Sequence, residues 1–148
     1  MLFDIAPMKE GIMKDNVLKK TFTLDEVFPD IFDENSKLVL LNLGRHMGLE
    51  ANDLAFMIGT HPSQIYKNSF KDEKEIGQKL KKLLATLTRA ALERADTKDY
   101  EGARMKIMRW FKEHNPDFGM QTPSDLLRAG KIRKLQSYAD SIFEANVP

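Results

Sequence analysis

Hydrophobic positions along this chain recur every three or four residues, and no stretch alternates at two. The cleanest period runs through FKDEKEIGQKLKKLLATLTRAALERAD. There Ile76, Leu80, Leu83, Leu84, Leu87 and Ala91 share one face, while Lys79, Lys81, Lys82 and Arg89 fall largely elsewhere. A second helix is predicted over about 98–114, with Tyr100, Ala103, Ile107, Trp110 and Phe111 on its apolar stripe. The run Asn115-Pro116-Asp117-Phe118-Gly119 breaks it. Thr122 then reads as a cap and Pro123 as a first helical residue, opening a short helix to Arg128 that Gly130 ends. Ile132, Leu135, Ala139, Ile142 and Phe143 make a last helix. Upstream, a helix is predicted from Asn35 through Leu38, Leu40, Leu41, Leu43 and Met47, with Gly48 as its stop. The predicted class is all-α.

Residues 1–33 keep no sustained period and read as an N-terminal arm. Thr23 is a cap for a helical turn over 24–28, and Pro29 ends it. Phe22, Phe28, Ile31 and Phe32 are too apolar for a free linker, so the arm is expected to pack on the protein or on a partner.

Composition narrows the chemistry. With 148 residues, 42% hydrophobic and 30% charged, the chain has room for one domain or two small ones and enough apolar residues for a core. The absence of cysteine excludes a disulfide scaffold, a thiol nucleophile and a cysteine-ligated zinc. His46, His61 and His114 leave little for an imidazole-rich metal site. No apolar run approaches the roughly 18–20 residues that span a bilayer. Lys9, Lys14 and Asp15 interrupt residues 1–20, so no secretory signal is read there. The expectation is a soluble, cytoplasmic protein with no membrane partner.

The formal net charge of +1 conceals an asymmetry. Residues 1–59 hold 6 Lys+Arg against 10 Asp+Glu, whereas 60–134 hold 17 against 10. A basic middle-to-late region suits either a polyanion or the solvated faces of amphipathic helices.

The segment 51–68 carries the most specific pattern. Ala55 is a small residue in a first helix, and Gly59, four later, sits at the turn. Leu54 and Ile58 face inward, and Ile65 anchors a second helix that starts at Pro62 after a cap at Thr60 or His61. This spacing resembles the helix-turn-helix of the Xre/Cro-like repressors, with Thr60 and Asn68 standing where that pattern commonly has apolar residues. The resemblance implies that the second helix enters a DNA groove. Its DNA-contacting residues would be His61, Ser63, Gln64, Tyr66 and Lys67, with Lys71 and Lys74 just beyond. A helical hairpin used only for packing is the alternative.

In the C-terminal half, Arg109-Trp110-Phe111, then Asn115-Pro116-Asp117-Phe118-Gly119, then Thr122-Pro123-Ser124-Asp125-Leu126-Leu127-Arg128 follow in order. Together with the upstream helix pair they resemble the Xre/MbcA/ParS antitoxin family over roughly 35–145. Met120 replaces a usual second Gly, the stretch Ala129-Gly130-Lys131 is short, and Ala145-Asn146-Val147-Pro148 lacks the closing Gly. After the arm over 1–33, the resemblance implies a helix-turn-helix region over 34–75 and a toxin-binding and self-association region over 76–148. It implies a type II antitoxin that covers the active site of a cognate toxin, expected to be a RES-domain, NAD-consuming one, and represses its own operon. Ile142, Phe143 and Val147 would anchor the toxin, and Arg133 and Lys134 would supply rim charge. Operator DNA, a toxin and a second copy of the chain are the expected partners. A stand-alone regulator and a helical adaptor that does not bind DNA are the alternatives.

No catalytic constellation is read from the residues, and no cofactor is expected; NAD would be the toxin's ligand. Asp72, Glu73 and Glu75 read as a solvated helix start. His46 and His114 read as satisfied residues near helix ends. For Trp110, Phe111, Thr122 and Arg128 a structural role is favoured over a contact role, with Arg128 pairing Asp125 or bonding the carbonyls that end its own helix.

Overall fold

The computed structural model describes residues 22–70, 73–95 and 99–145. The described residues are all-α: eight α-helices and no strand, with one isolated antiparallel bridge between Phe32 and Leu38. No helix among them is long and apolar enough to cross a membrane.

The described part of the arm is built into the core. Thr23 and Glu26 form a capping box around α1 (Leu24–Val27). Pro29 then opens a single 3-10 turn, Pro29–Ile31. Val27, Phe28 and Ile31 are fully buried. Two side chains from distant helices pin them. Arg104 Nη1 donates to the Val27 carbonyl at 2.6 Å, and His46 Nε2 donates to Asp30 Oδ1 at 2.6 Å. Phe28 meets the His46 ring edge-on, with 4.8 Å between centroids.

The next helix, α2 (Leu40–His46), starts later than its apolar period predicts. Asp33 is the cause. Its Oδ1 accepts from the amides of Asn35 at 2.8 Å and Lys37 at 2.9 Å, holding 33–37 in a tight turn with Ser36 at φ 62°. Helix α3 (Ala51–Ile58) and helix α4 (Pro62–Tyr66) follow. The long α5 (Gln78–Ala95) is preceded by a π-helical turn, Glu73–Gly77, and packs mainly on α6 (Tyr100–Lys112) and α8 (Ile132–Ala145). Between these last two lies α7 (Pro123–Arg128).

One buried cluster runs through the whole described chain. Leu40, Leu43, Leu54 and Ile65 belong to it together with Leu80, Leu83, Phe111 and Leu135. The expected boundary near residue 75 is therefore crossed by continuous packing.

Helix α7 begins as its sequence predicts. Thr122 Oγ1 accepts from the Asp125 amide at 3.0 Å, and the Asp125 carboxylate faces the Thr122 amide in return. Hydrogen bonds to that carboxylate from the Thr122 hydroxyl and then the Thr122 amide, with the Arg128 guanidinium behind them, hold the Asp125 carboxyl below its ordinary 3.8. A depressed carboxyl stabilises the fold above its unfolded value, and that contribution is lost as pH falls through its folded value. Asp125→Asn is thus expected to lower thermal stability modestly at neutral pH, by at most about 1 kcal/mol for a half-exposed cap. The difference from the unsubstituted protein should vanish as pH drops below 3.8, which paired thermal melts would read.

Candidate nucleic-acid interface

Helices α3 and α4 meet through a turn at 59–61. Gly59 is left-handed, at φ 84° and ψ 38°, and its amide bonds the Ala55 carbonyl at 2.8 Å. A side chain at Gly59 would meet nothing within 4 Å, so the turn needs glycine for its backbone angle rather than for space. The close helix approach lies elsewhere. A Cβ on Gly44 of α2 would stand 2.7 Å from Leu54 Cδ1 of α3. Ala55 and Ile65 are buried as expected, Leu54 is fully buried, and Ile58 is half-buried.

His61 is the cap of α4, and its Nδ1 accepts from the Ser63 amide at 3.2 Å. Pro62 takes the first helical position. The helix ends after Tyr66, with Asn68 left-handed at φ 56°. Asn68 departs from the repressor pattern, and its side chain does work that an apolar residue would not. Nδ2 donates to the Leu38 carbonyl at 3.1 Å, and Oδ1 accepts from the Leu40 amide at 3.4 Å. The end of α4 is thus tied to the start of α2.

The principal packing partners of α4 are α3 and α2. His61 and Lys67 are exposed, Tyr66 is 64% exposed, and Ser63 and Gln64 are half-buried. Lys71 and the side chain of Lys74 lie outside the described residues. A second aromatic, Phe56 on α3, is 82% exposed; the sequence pattern did not single it out. Its signal was position: it lies four residues from Asn52, on the outward side of α3.

At the other end of α3, four helix ends converge. Ser124 Oγ, almost fully buried, lies 2.6 Å from the Met47 carbonyl and 2.7 Å from the Phe111 carbonyl, and its single proton serves one at a time. It welds the ends of α2 and α6 to the start of α7. Arg128 reaches across the same junction. Nη1 donates to Asp125 Oδ1 at 2.9 Å, Nε to Asp53 Oδ2 at 3.3 Å and Nη2 to the Gly48 carbonyl at 2.6 Å. The carbonyl it bonds therefore closes α2, not its own helix. A cleft of about 300 Å³ opens here, lined by Arg45, Glu50, Lys112, Thr122 and Arg128 among others.

The residues expected to contact a toxin lie on α8 or beyond it. Arg133 and Lys134 are exposed. Ile142 is half-buried and lines an apolar groove of about 260 Å³ with Leu87, Ala91, Ile107, Trp110 and Tyr138. The side chain of Phe143 and all of Val147 lie outside the described residues. Trp110 stacks on Tyr138 at 6.1 Å and meets Phe111 edge-on at 5.1 Å. His114 Nδ1 donates to the Met120 carbonyl at 2.7 Å, closing the loop over 114–120. Met120 is left-handed at φ 69°, the angle that the usual glycine would adopt freely.

Among the described residues no group of three or more His, Cys, Asp or Glu could hold a metal. Comparison with family models, with characterised proteins and with solved structures finds no match.

Proposed function

We propose that the chain is a DNA-binding repressor of the antitoxin type. The observation that carries this is the α3–α4 unit: a left-handed Gly59, a Pro62 start and a buried Ile65 leave Tyr66 and Lys67 exposed and Gln64 half-exposed on a short helix. Gln offers a donor and an acceptor that match the major-groove edge of adenine. Lys and the exposed His can reach phosphate. The resemblance of 51–68 to Xre/Cro-like repressors supports the same assignment.

The antitoxin half of the reading rests on the resemblance of the C-terminal half and on the groove beside Ile142. A cognate toxin would seat an apolar segment there, with Arg133 and Lys134 meeting carboxylates at the rim. A homodimer would double the DNA contacts across two half-sites. The protein would act in the cytoplasm, without a cofactor of its own.

A second reading has its own support. Phe56 is 82% exposed, and residues 49–70 contain a single lysine or arginine, so this unit also suits a protein partner. Electrophoretic mobility shift separates the two. Repression predicts salt-dependent binding to the duplex directly upstream of the chain's own reading frame, in preference to a scrambled duplex of equal length. Equal affinity for both, or none for either, rejects it. Co-expression with the product of the adjacent reading frame, followed by purification, tests the toxin half. Failure of the two to co-purify rejects that half.

A further inference from the structure

The α3–α4 unit alone is poor in positive charge. Between residues 49 and 70 Lys67 stands against Glu50 and Asp53. Affinity for duplex DNA comes largely from cations that neutralise phosphates, so the reading above requires cations from outside this unit. The structure supplies a place for them. When the second helix of such a pair lies in the major groove, the first crosses the sugar-phosphate backbone. Helix α3 has eight residues, about 12 Å, and its first turn borders the cleft at the junction of α2, α6 and α7.

We propose that this cleft is a second phosphate-contact site, where Arg45 and Lys112 hold the DNA backbone that flanks the segment facing α4. The proposal rests on the DNA-binding reading and locates the cations that reading needs. Three of the side chains lining the cleft are cationic and one is a carboxylate. The carboxylate is Glu50, whose side chain caps the first turn of α3, while Arg128 is committed to Asp53 and Asp125, so the two cations left to face a phosphate are Arg45 and Lys112. Arg45 and Lys112 are exposed and make no ion pair among the described residues. They come from opposite halves of the chain, in the last turns of α2 and α6. Ser124 fixes those two ends against each other through the Met47 and Phe111 carbonyls. The helix ends that carry the two cations are therefore held together before any backbone is met, which spares the cost of bringing them together on binding.

Fluorescence anisotropy on the upstream and scrambled duplexes, across a series of salt concentrations, tests the proposal. The variant is Arg45→Gln with Lys112→Gln; both positions are exposed and unpaired, so thermal melts should match the unsubstituted protein. Two lost phosphate contacts should flatten the slope of log K against log salt by about 1.8. At 0.15 M salt this amounts to roughly a 30-fold loss on both duplexes, with their ratio unchanged. Arg45→Lys with Lys112→Arg should keep the slope. An unchanged slope in the glutamine variant, while the unsubstituted protein binds, overturns this proposal alone. Failure of the unsubstituted protein to bind either duplex overturns the DNA-binding reading and this proposal together. Loss confined to the upstream duplex would mark Arg45 and Lys112 as base readers and also contradict the proposal.

Discussion

Gly48→Ala is expected to destabilise the protein by about 3 kcal/mol, whereas Gly59→Ala should cost about 1 kcal/mol. Both glycines are left-handed, at φ 76° and 84°, so the backbone penalty is shared. The surroundings differ. A Cβ at Gly59 meets open space, whereas at Gly48 it would stand 2.3 Å from Ser124 Oγ and 3.2 Å from Ser124 Cβ. Ser124 cannot yield without leaving the Met47 and Phe111 carbonyls without their shared donor, and each lost buried hydrogen bond costs about 1–3 kcal/mol. For a chain of this size the difference corresponds to a melting temperature roughly 6 °C lower in Gly48→Ala than in Gly59→Ala. Adding Ser124→Ala should recover part of the loss, because it removes the clash along with the hydroxyl. Equal melting temperatures for the two glycine variants would show that the junction is looser than its distances imply.

Gln64→Ala with Lys67→Ala should lower affinity for the upstream duplex by about 30-fold to several hundred-fold and leave the fold intact. A paired Gln–adenine contact discriminates by about 1–3 kcal/mol, and a lysine–phosphate contact adds one counterion's worth of salt dependence. Lys67 is exposed and Gln64 half-buried, and neither belongs to the buried core cluster. Affinity for the scrambled duplex should fall only several-fold, since only the lysine acts there. The signature is therefore a collapse of the upstream-to-scrambled ratio, whereas the Arg45 and Lys112 substitutions preserve it. Competition binding at fixed salt reads both quantities. An unchanged ratio would remove α4 as the reading helix.

The long helices were legible because their own faces encode them. The stripe Leu80, Leu83, Leu84 and Leu87 is buried as its period predicts, and Thr122-Pro123 marks the start of α7 through local cap chemistry. The turn at Gly59 and the cap at His61 were legible for the same reason. What depends on distant partners was not. The arm's apolar residues announced that they would pack, but not that Arg104 and His46 would hold them. The start of α2 was misplaced because Asp33 diverts the backbone amides that an apolar count ignores. Arg128 pairs with Asp125 as the sequence suggests, but its bonds to Asp53 and the Gly48 carbonyl depend on residues some 75 to 80 positions away. The pairing of Arg45 with Lys112 across one cleft has no sequence signal, since only the Ser124 junction brings their helix ends together.

Amide hydrogen exchange on the full chain, with and without the upstream duplex, probes the role of α4 directly. Contact with DNA predicts slowed exchange at 62–68, with a second protected patch around 45–50, and none confined to the groove beside Ile142. Unchanged exchange at 62–68 under conditions where the duplex is bound would contradict the account.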